Sequence, residues 1–322
     1  MREMQDGCEV EQVLLVREVE VRRRANGAEY LRLSLADKTG AVAAVVWDGV
    51  ADLGPHARPG APVWVCGRYA VHQRYGAQLV VTSLRPAADG DFALSDLLDG
   101  PPQPVHQMEA DLHELVSTVQ NRHLRRLLDR IVGEGSATWE AYRVAPAAKR
   151  YHQAYRHGLL EHSLTVAQAV GAISATFPGI DRDVAVTGAL LHDIGKLEAY
   201  ASVDHAIDLT DAGKLQGEIP LGYYRVRREI EDLDGFPHEI AEAVLHIILS
   251  HHGSLEHGSP VVPCTREATL VHTIDNLGGK LGSFDRLQKE LGDGQRWSGF
   301  DRAIGSGAYF ASAPLQDAAA AA

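Results

Sequence analysis

The stretch Gly188-Ala-Leu-Leu-His-Asp-Ile-Gly-Lys-Leu197 decides how this chain is read. Small and apolar residues lead into His192-Asp193, and Gly195-Lys196 follow at once. That is the pattern of an apolar helix ending on an imidazole and a carboxylate. Neither side chain is cheap to bury unpaired, so a bound cation is the natural partner. Gly195 is expected to give the backbone room to turn, which lets Lys196 point back over the same spot. The rest of the sequence is asked one thing: whether it supplies further ligands and a substrate.

Composition sets the frame. A length of 322 residues allows two domains, each with its own core. Hydrophobic content of 45% and charged content of 23% belong to an ordinary soluble globular protein. Cys8, Cys66 and Cys264 are far apart, which excludes a disulfide scaffold and a CxxC metal site and points to a reducing compartment. Met1 to Asp6 is polar with no apolar signal core behind it, and no apolar run approaches the ~20 residues of a membrane helix. The expectation is a cytoplasmic protein with no membrane partner. The net charge of −12 is uneven: residues 1–85 carry 11 Lys/Arg against 10 Asp/Glu, the remainder 20 against 33. Only the first part can present a basic face.

That first part reads as strands. Val13 to Arg24 is apolar, then alternating, and Asn26-Gly27 is a turn. Tyr30-Leu-Arg-Leu-Ser-Leu35 alternates cleanly, sending Leu31, Leu33 and Leu35 to a core and Tyr30, Arg32 and Ser34 to the other face. Asp37-Lys-Thr-Gly40 is a turn, Ala41 to Trp47 the next strand. Pro62 to Ala70 and Gln78 to Ser83 follow, joined through His72-Gln-Arg-Tyr-Gly76. Five short strands in this space suggest a small closed barrel, of which the OB-fold is the best-known five-stranded case.

Tyr30 to Asp48 resembles the nucleic-acid-binding OB-folds. Such domains stack bases on strand aromatics and run the backbone past Arg and Lys. The candidates for substrate contact are Tyr30, Arg32, Tyr69, His72, Arg74 and Tyr75, while the bland alternative puts Trp47, Trp64 and Tyr69 in the core.

Beyond residue 85 the pattern changes. Residues 86–104 hold Pro86, Pro101, Pro102 and Pro104 and a short helical patch near Phe92–Leu98. Asp111 to Val132 carries Leu112, Leu115, Val116, Val119, Leu124, Leu127, Leu128 and Ile131 at helical spacing. Its Arg122, Arg125, Arg126 and Arg130 read as a solvated face. Helices with short loops are expected on to about residue 310.

Within them lie more ligand types. His152, His157 and His162 recur at five-residue intervals, which cannot keep all three on one face of a straight helix. His162, at the start of an apolar helix, is the best ligand of the three. Ile240 to His252 ends in His251-His252, and Thr265 to Leu281 carries Asp275. One histidine on an apolar face is more often a satisfied core residue than a ligand. That reading weakens when His162, His192-Asp193, His251-His252 and Asp275 all sit at ends or inner faces of apolar helices. Imidazoles with carboxylates suit Mn, Fe, Zn or Mg, and the lack of thiolates excludes a zinc-cysteine site.

The order His, His-Asp, His, Asp resembles the HD-domain phosphohydrolases. The resemblance is closer still to the YhaM-type 3′→5′ exoribonucleases, which join an N-terminal OB-fold to an HD domain. It is carried by Pro146-Ala-Ala-Lys149, Gly158-Leu-Leu-Glu-His162, Leu190-Leu-His-Asp-Ile-Gly-Lys196, Leu249-Ser-His-His-Gly253, Gly258-Ser-Pro260 and Thr273-Ile-Asp-Asn276, and spans roughly residues 10–310. It implies an α+β multidomain fold: an OB-type barrel at 1–85, a Pro-rich linker at 86–104, an all-α HD domain at 105–312 and a disordered Ala-rich tail at 313–322.

The resemblance also assigns roles. His162, His192, Asp193 and Asp275 would hold a first metal with Asp193 bridging, and His251 or His252 would join a second while the other meets the phosphate. Lys196 would neutralise a phosphate oxygen and act with Asp193 in catalysis. His152 and His157 join the substrate-binding candidates. One segment departs from the family, which commonly has Gly-His-Ile where this chain has Gly217-Glu-Ile219. Glu218 is either a carboxylate ligand or a surface residue, so one or two metals per chain remain open, with Mn first and Mg, Fe and Co as alternatives.

The implied reaction is metal-assisted hydrolysis of single-stranded RNA or DNA from the 3′ end, releasing nucleoside 5′-monophosphates. Two rivals share parts of this sequence pattern: a phosphohydrolase of small nucleotides, and a non-catalytic nucleic-acid-binding protein with a degenerate site. Nothing in the sequence reads a 2′-hydroxyl, and both a monomer and a homo-oligomer stay open. Lys280, Asp285 and Arg286 follow the Asp275 helix and read as solvated surface.

Overall fold

The computed structural model describes residues 4–72, 76–88, 90–149, 153–203, 206–291 and 294–311. Strands β1 (Glu9–Arg23), β2 (Glu29–Asp37), β3 (Gly40–Val46), β4 (Pro62–His72) and β5 (Gly76–Pro86) close into a barrel in the order β1-β2-β3-β5-β4. Only β3 and β5 run parallel. β1 serves two neighbours, β2 and β4, and a bulge between Val16 and Glu18 bends it from one to the other. β4 shifts register at Cys66/Gly67, where a Cβ on Gly67 would collide with the Val80 carbonyl, so the missing side chain permits the curve. Leu31, Leu33 and Leu35 enter the core as their alternation requires, against Leu14, Val46, Val63, Val65 and Leu79. The Asp37 carboxylate closes the β2–β3 turn by accepting from Thr39 N at 2.7 Å and Gly40 N at 3.2 Å.

A short helix, α1 (Val50–Leu53), follows β3. The helical part comprises α2 (Leu94–Leu97), α3 (Val105–Ser117), α4 (Arg122–Val132), α5 (Trp139–Val144), α6 (Gly158–Ser174) and α7 (Arg182–Leu191). It continues with α8 (Lys196–Ala199), α9 (Asp211–Gln216), α10 (Glu218–Glu231), α11 (His238–Ser250) and α12 (Arg266–Glu290). α7 is its axis. Every residue from Val184 to Leu191 is buried, because α6, α11 and α12 pack around it. That burial on all sides is why the opening stretch is apolar throughout instead of amphipathic. Among the described residues no helix is long and apolar enough to cross a membrane.

The structure differs from the sequence reading at four places. Two hairpins interrupt the helices: β6 (Tyr200–Val203) with β7 (Ala206–Leu209), and β8 (Trp297–Asp301) with β9 (Ser306–Tyr309). Strands of four or five residues, two of them glycine-bearing, are too short to show alternation. The leucine pattern over 111–132 is split at residues 118–121, where the Asn121 side chain caps α4 by accepting from His123 N and Leu124 N. The arginine face is not simply solvated: Arg125 caps α3 through the Ser117 and Val119 carbonyls, and Arg130 pairs with Glu229 at 2.7 Å. The Pro-rich stretch is tied down within its length, at Asp96 and Asp99. Lys38 Nζ lies 2.6 Å from Asp96, and Lys289 Nζ lies 3.0 Å from Asp99. The expected tail at 313–322 lies outside the described residues.

Candidate metal centre

Six helices deliver side chains to one point. α6 brings His162, the end of α7 brings His192-Asp193, and α8 opens with Lys196. α10 opens with Glu218, α11 closes on His251-His252, and α12 carries Asp275. Glycines let these elements approach. A Cβ on Gly188 would run into Ile247, so α7 and α11 cross closely only because it is absent. A Cβ on Gly195 would strike the Glu218 carbonyl and the Gly222 amide. Gly195 closes the turn at residues 192–195 that leads into α8, but its φ of −67° is an ordinary helical value, so its bareness matters for the close approach of the Glu218 backbone and not for backbone freedom. Gly253, at φ +81°, faces the His272 ring, whose Nδ1 lies 2.7 Å from the His251 carbonyl.

The predicted ligands fall into two groups. His162, His192 and Asp275 form one; Asp193, Glu218, His251 and His252 form the other. Within each group the ligand atoms lie inside 4.8 Å of one another. Asp193 stands between them. Its Oδ2 is 3.2 Å from His162 Nε2 and 3.4 Å from His192 Nε2, and its Oδ1 is 3.4 Å from His251 Nε2. Asp275 Oδ1 is 3.2 Å from His162 Nε2, and Glu218 Oε1 is 3.4 Å from His252 Nε2. Lys196 Nζ reaches Asp193 Oδ2 at 2.5 Å.

The rings share one polarity. Nδ1 of His192 faces the Ala189 carbonyl at 2.7 Å, that of His251 the Ile248 carbonyl at 2.8 Å, and that of His252 the His257 carbonyl at 2.9 Å. Nδ1 of His162 lies 3.0 Å from Gln153 Oε1. A carbonyl can only accept, so Nδ1 of each ring carries a proton and Nε2 is the atom turned to the cluster.

Asp193 Oδ1 and His251 Nε2 are both acceptors, both buried and both without a hydrogen-bond partner. Two acceptors cannot satisfy each other, and a cation between them would. The donor set of imidazoles and carboxylates, without thiolate, suits a divalent ion of the Mn, Mg, Fe or Co type. The residues fit.

Charge is balanced locally. Burial pushes the Asp193 carboxyl up, but Lys196 and His192 hold it well below the usual carboxylate range. Asp275 is likewise held low, by His162 and His192 against burial, and Glu218 by Lys196 and His252. Burial disfavours the Lys196 ammonium, yet Asp193 and Glu218 keep its pKa above normal. Burial also opposes the His162 imidazolium, but its bonds to Asp193 and Asp275 raise it to about 9. Burial pushes His251 down and outweighs the opposing Asp193 carboxylate, whereas Glu218 helps to more than offset burial at His252.

Other predicted residues are not gathered here. His157 caps α6, and its Nδ1 is bound to the Arg143 carbonyl at 2.5 Å, which makes it a brace for the chain. His152, Arg74 and Tyr75, and the side chain of His72, lie outside what the structure describes. On the barrel, Arg32 lines a groove of about 340 Å³ together with Glu18, Glu20 and Ser34. Tyr69 is half-buried against the barrel core. Tyr30 packs on Trp47 with ring centroids 4.9 Å apart, and the Arg24 guanidinium lies 4.9 Å from the Trp47 ring. Trp47 is thus not a core residue but 37% exposed, and neither it nor Arg24 was among the candidates. Counting on from the inward Ala44 and Val46 would have placed Trp47 on the outer side.

A metal-fitting His/Asp cluster gathered by a helical bundle defines an HD-domain protein, and the HD domain family model matches residues 159–278. The chain is 32% identical over 292 residues to the 3′-5′ exoribonuclease YhaM of Geobacillus sp. (strain WCH70), covering 90% of this chain and 88% of the relative. It is 29% identical over 290 residues to the 3′-5′ exoribonuclease YhaM of Bacillus subtilis (strain 168), covering 90% of each. The chain belongs to the YhaM 3′-5′ exoribonuclease family. Among solved structures, the mitochondrial single-stranded DNA binding protein Rim1 from S. cerevisiae matches 26% of this chain and 95% of its own, at 21% identity and TM-score 0.23. The second OB-fold domain of replication protein A from Methanococcus maripaludis matches 27% of this chain and 90% of its own, at 19% identity and TM-score 0.23.

Proposed function

We propose that this chain is a divalent-metal-dependent exonuclease that removes nucleoside 5′-monophosphates from the 3′ end of single-stranded nucleic acid, RNA before DNA. The observation that carries this reading is the pair of buried, unpartnered acceptors, Asp193 Oδ1 and His251 Nε2, inside a His/Asp/Glu cluster. Family membership supports the polarity and the substrate.

The metal is Mn, two ions per chain, with Mg, Fe and Co as substitutes. His162, His192 and Asp275 would hold one, Glu218 and His251 the other, and Asp193, which reaches toward both groups, would serve either. His252, the more exposed of the histidine pair, stands beside Glu218 and meets the incoming phosphate. When bound, the ions polarise a phosphoryl oxygen and make water a better nucleophile near neutral pH. Lys196, kept cationic by Asp193 and Glu218, neutralises a non-bridging oxygen as charge builds there. The bonds from the Nδ1 atoms fix the imidazole rings beforehand, so the site does not reorganise during reaction.

The barrel supplies the grip. Trp47 and Tyr30 offer a stacking face, and Arg24 places a cation on it. This platform favours a strand over a small nucleotide, which would have no use for it. The near-neutral balance of residues 1–85 predicts modest affinity that falls as salt rises. The free cysteines Cys8, Cys66 and Cys264 support a reducing, cytoplasmic setting.

A time course on single-stranded RNA and DNA, labelled at either end and run with Mn or Mg, tests the reading. The expected result is stepwise shortening of 5′-labelled strands and immediate release of a 3′-labelled mononucleotide, fastest on RNA with Mn. Internal cleavage, or hydrolysis confined to mononucleotides, would overturn it.

A further inference from the structure

We infer that Gln153 is a positioning residue for the metal centre, holding the His162 ring from behind so that Nε2 faces the metal. The inference rests on the reading of His162 as a ligand proposed above. Its ground is geometric. Gln153 is a polar side chain only 4% exposed, and its Oε1 lies 3.0 Å from His162 Nδ1.

The need for such a residue follows from where the histidines sit. His192 and His251 lie at helix ends and find the carbonyl of the third residue before them, Ala189 and Ile248. His162 lies inside α6, where the carbonyls of the preceding turn are engaged in the helix ladder. Its Nδ1 needs an acceptor from outside the helix. A carboxamide accepts without adding charge to a site that already holds Asp193, Asp275 and Glu218.

The backbone is bent to deliver it. Gln153 has φ +58°, and among the described residues only His157, at φ +71°, is another non-glycine in that left-handed region. Both belong to the loop that leads into α6. This conformation is unfavourable for a glutamine and persists only when the surroundings impose it. They do so here. Ala147 N donates to the Gln153 carbonyl at 3.2 Å, His157 N to that of Val144 at 3.2 Å, and Leu159 N to that of Ala145 at 2.9 Å. Gly158, the first residue of α6, is pressed so close that a Cβ would collide with the Gln153 carbonyl.

Three variants of the full chain separate positioning from simple structure: Gln153→Gly, Gln153→Ala and Gln153→Glu. Two readouts are taken, Mn²⁺ affinity by titration calorimetry and the unfolding midpoint of the metal-free protein in chelator. Gln153→Gly suits the left-handed backbone but removes the acceptor. It is expected to keep or raise the midpoint while Mn²⁺ binds ~10–100-fold more weakly, the usual cost of losing a partner behind a ligating histidine. Gln153→Ala is expected to lose the same affinity. Gln153→Glu restores an acceptor and is expected to bind within about threefold of the parent, as charge-assisted acceptors do. Parent-like affinity in Gln153→Gly, or affinity losses that simply follow the midpoints across the three, would overturn the inference. If Gln153→Ala does not fold, the other two decide. If the parent chain takes up no Mn²⁺, the ligand reading fails and this inference falls with it; if only Gln153→Gly is parent-like, the inference alone falls.

Discussion

His251 Nε2 and Asp193 Oδ1 stand 3.4 Å apart, both buried and neither with a hydrogen-bond donor. An apolar pair there would cost nothing, and a donor–acceptor pair would hold itself. Two acceptors held this close by the crossing of α7 and α11 are an arrangement whose stability depends on a cation. The other contacts of the site follow the same logic: Asp193 Oδ2 is approached by His162, His192 and Lys196, three groups that must share one negative charge.

On the proposed two-metal reading, Glu218 is the residue that holds the second ion in place. Gln at this position keeps the shape and the hydrogen bond but removes the charge that Lys196 and His252 face. Glu218→Gln is expected to lower bound Mn²⁺ from two to one per chain by elemental analysis and to cut kcat ~10–100-fold. Two tightly held ions in the variant would make Glu218 a bystander.

The metal-free protein should weaken as pH rises. Burial opposes the His162 imidazolium, but Asp193 and Asp275 raise its pKa from 6.5 to about 9. A folded-state pKa above the unfolded one stabilises fully below the unfolded value and is lost as pH passes the folded one. The unfolding midpoint in chelator is therefore expected to fall between pH 6.5 and about 9, with His252 acting in the same direction through Glu218. Mn²⁺ must displace the His162 proton, so its affinity rises across the same window. Thermal scans and calorimetry at several pH values read both. A midpoint that climbs over this range would contradict the charge assignment.

Gly188 lies in the stretch that decides the fold, and it has no room for a methyl group against Ile247. Gly188→Ala is expected to cost about 1–3 kcal/mol by forcing α7 and α11 apart. Because the His192 and His251 rings are 4.9 Å apart across that crossing, Mn²⁺ affinity should drop with it. Denaturant unfolding gives the first quantity and metal titration the second.

How much of this was legible in sequence depends on the kind of signal. His192-Asp193 and Asp275 stood out because charged groups in apolar helices demand a partner. The barrel strands were legible because half-buried strands alternate, as Leu31, Leu33 and Leu35 do. Glu218 was ambiguous because a carboxylate opening a helix is equally explained by the helix dipole. Gln153 carried no signal, since a lone glutamine reveals neither burial nor a left-handed backbone. The β6–β7 and β8–β9 hairpins were too short for periodicity. The Gly188–Ile247 contact joins residues far apart in the chain, which no local pattern records.

Trp47 tests the barrel's part. Its ring lies under the Arg24 guanidinium and against Tyr30, with a third of its surface free for a base. Trp47→Ala is expected to raise KM for single-stranded RNA about tenfold, the loss of one stacked base, with kcat within about twofold. Unchanged KM would move strand binding elsewhere on the barrel.

The most direct test of the central claim is the reaction of Asp193→Asn beside the parent chain, on 5′-labelled single-stranded RNA with Mn²⁺ and again with excess chelator. Asparagine preserves shape but removes the carboxylate that stands between the two ligand groups. The parent with Mn²⁺ is expected to produce a ladder shortening from the 3′ end, and the chelated parent and the variant to lose at least ~100-fold in rate. Parent-like degradation by Asp193→Asn, or by the parent in chelator, would contradict the account.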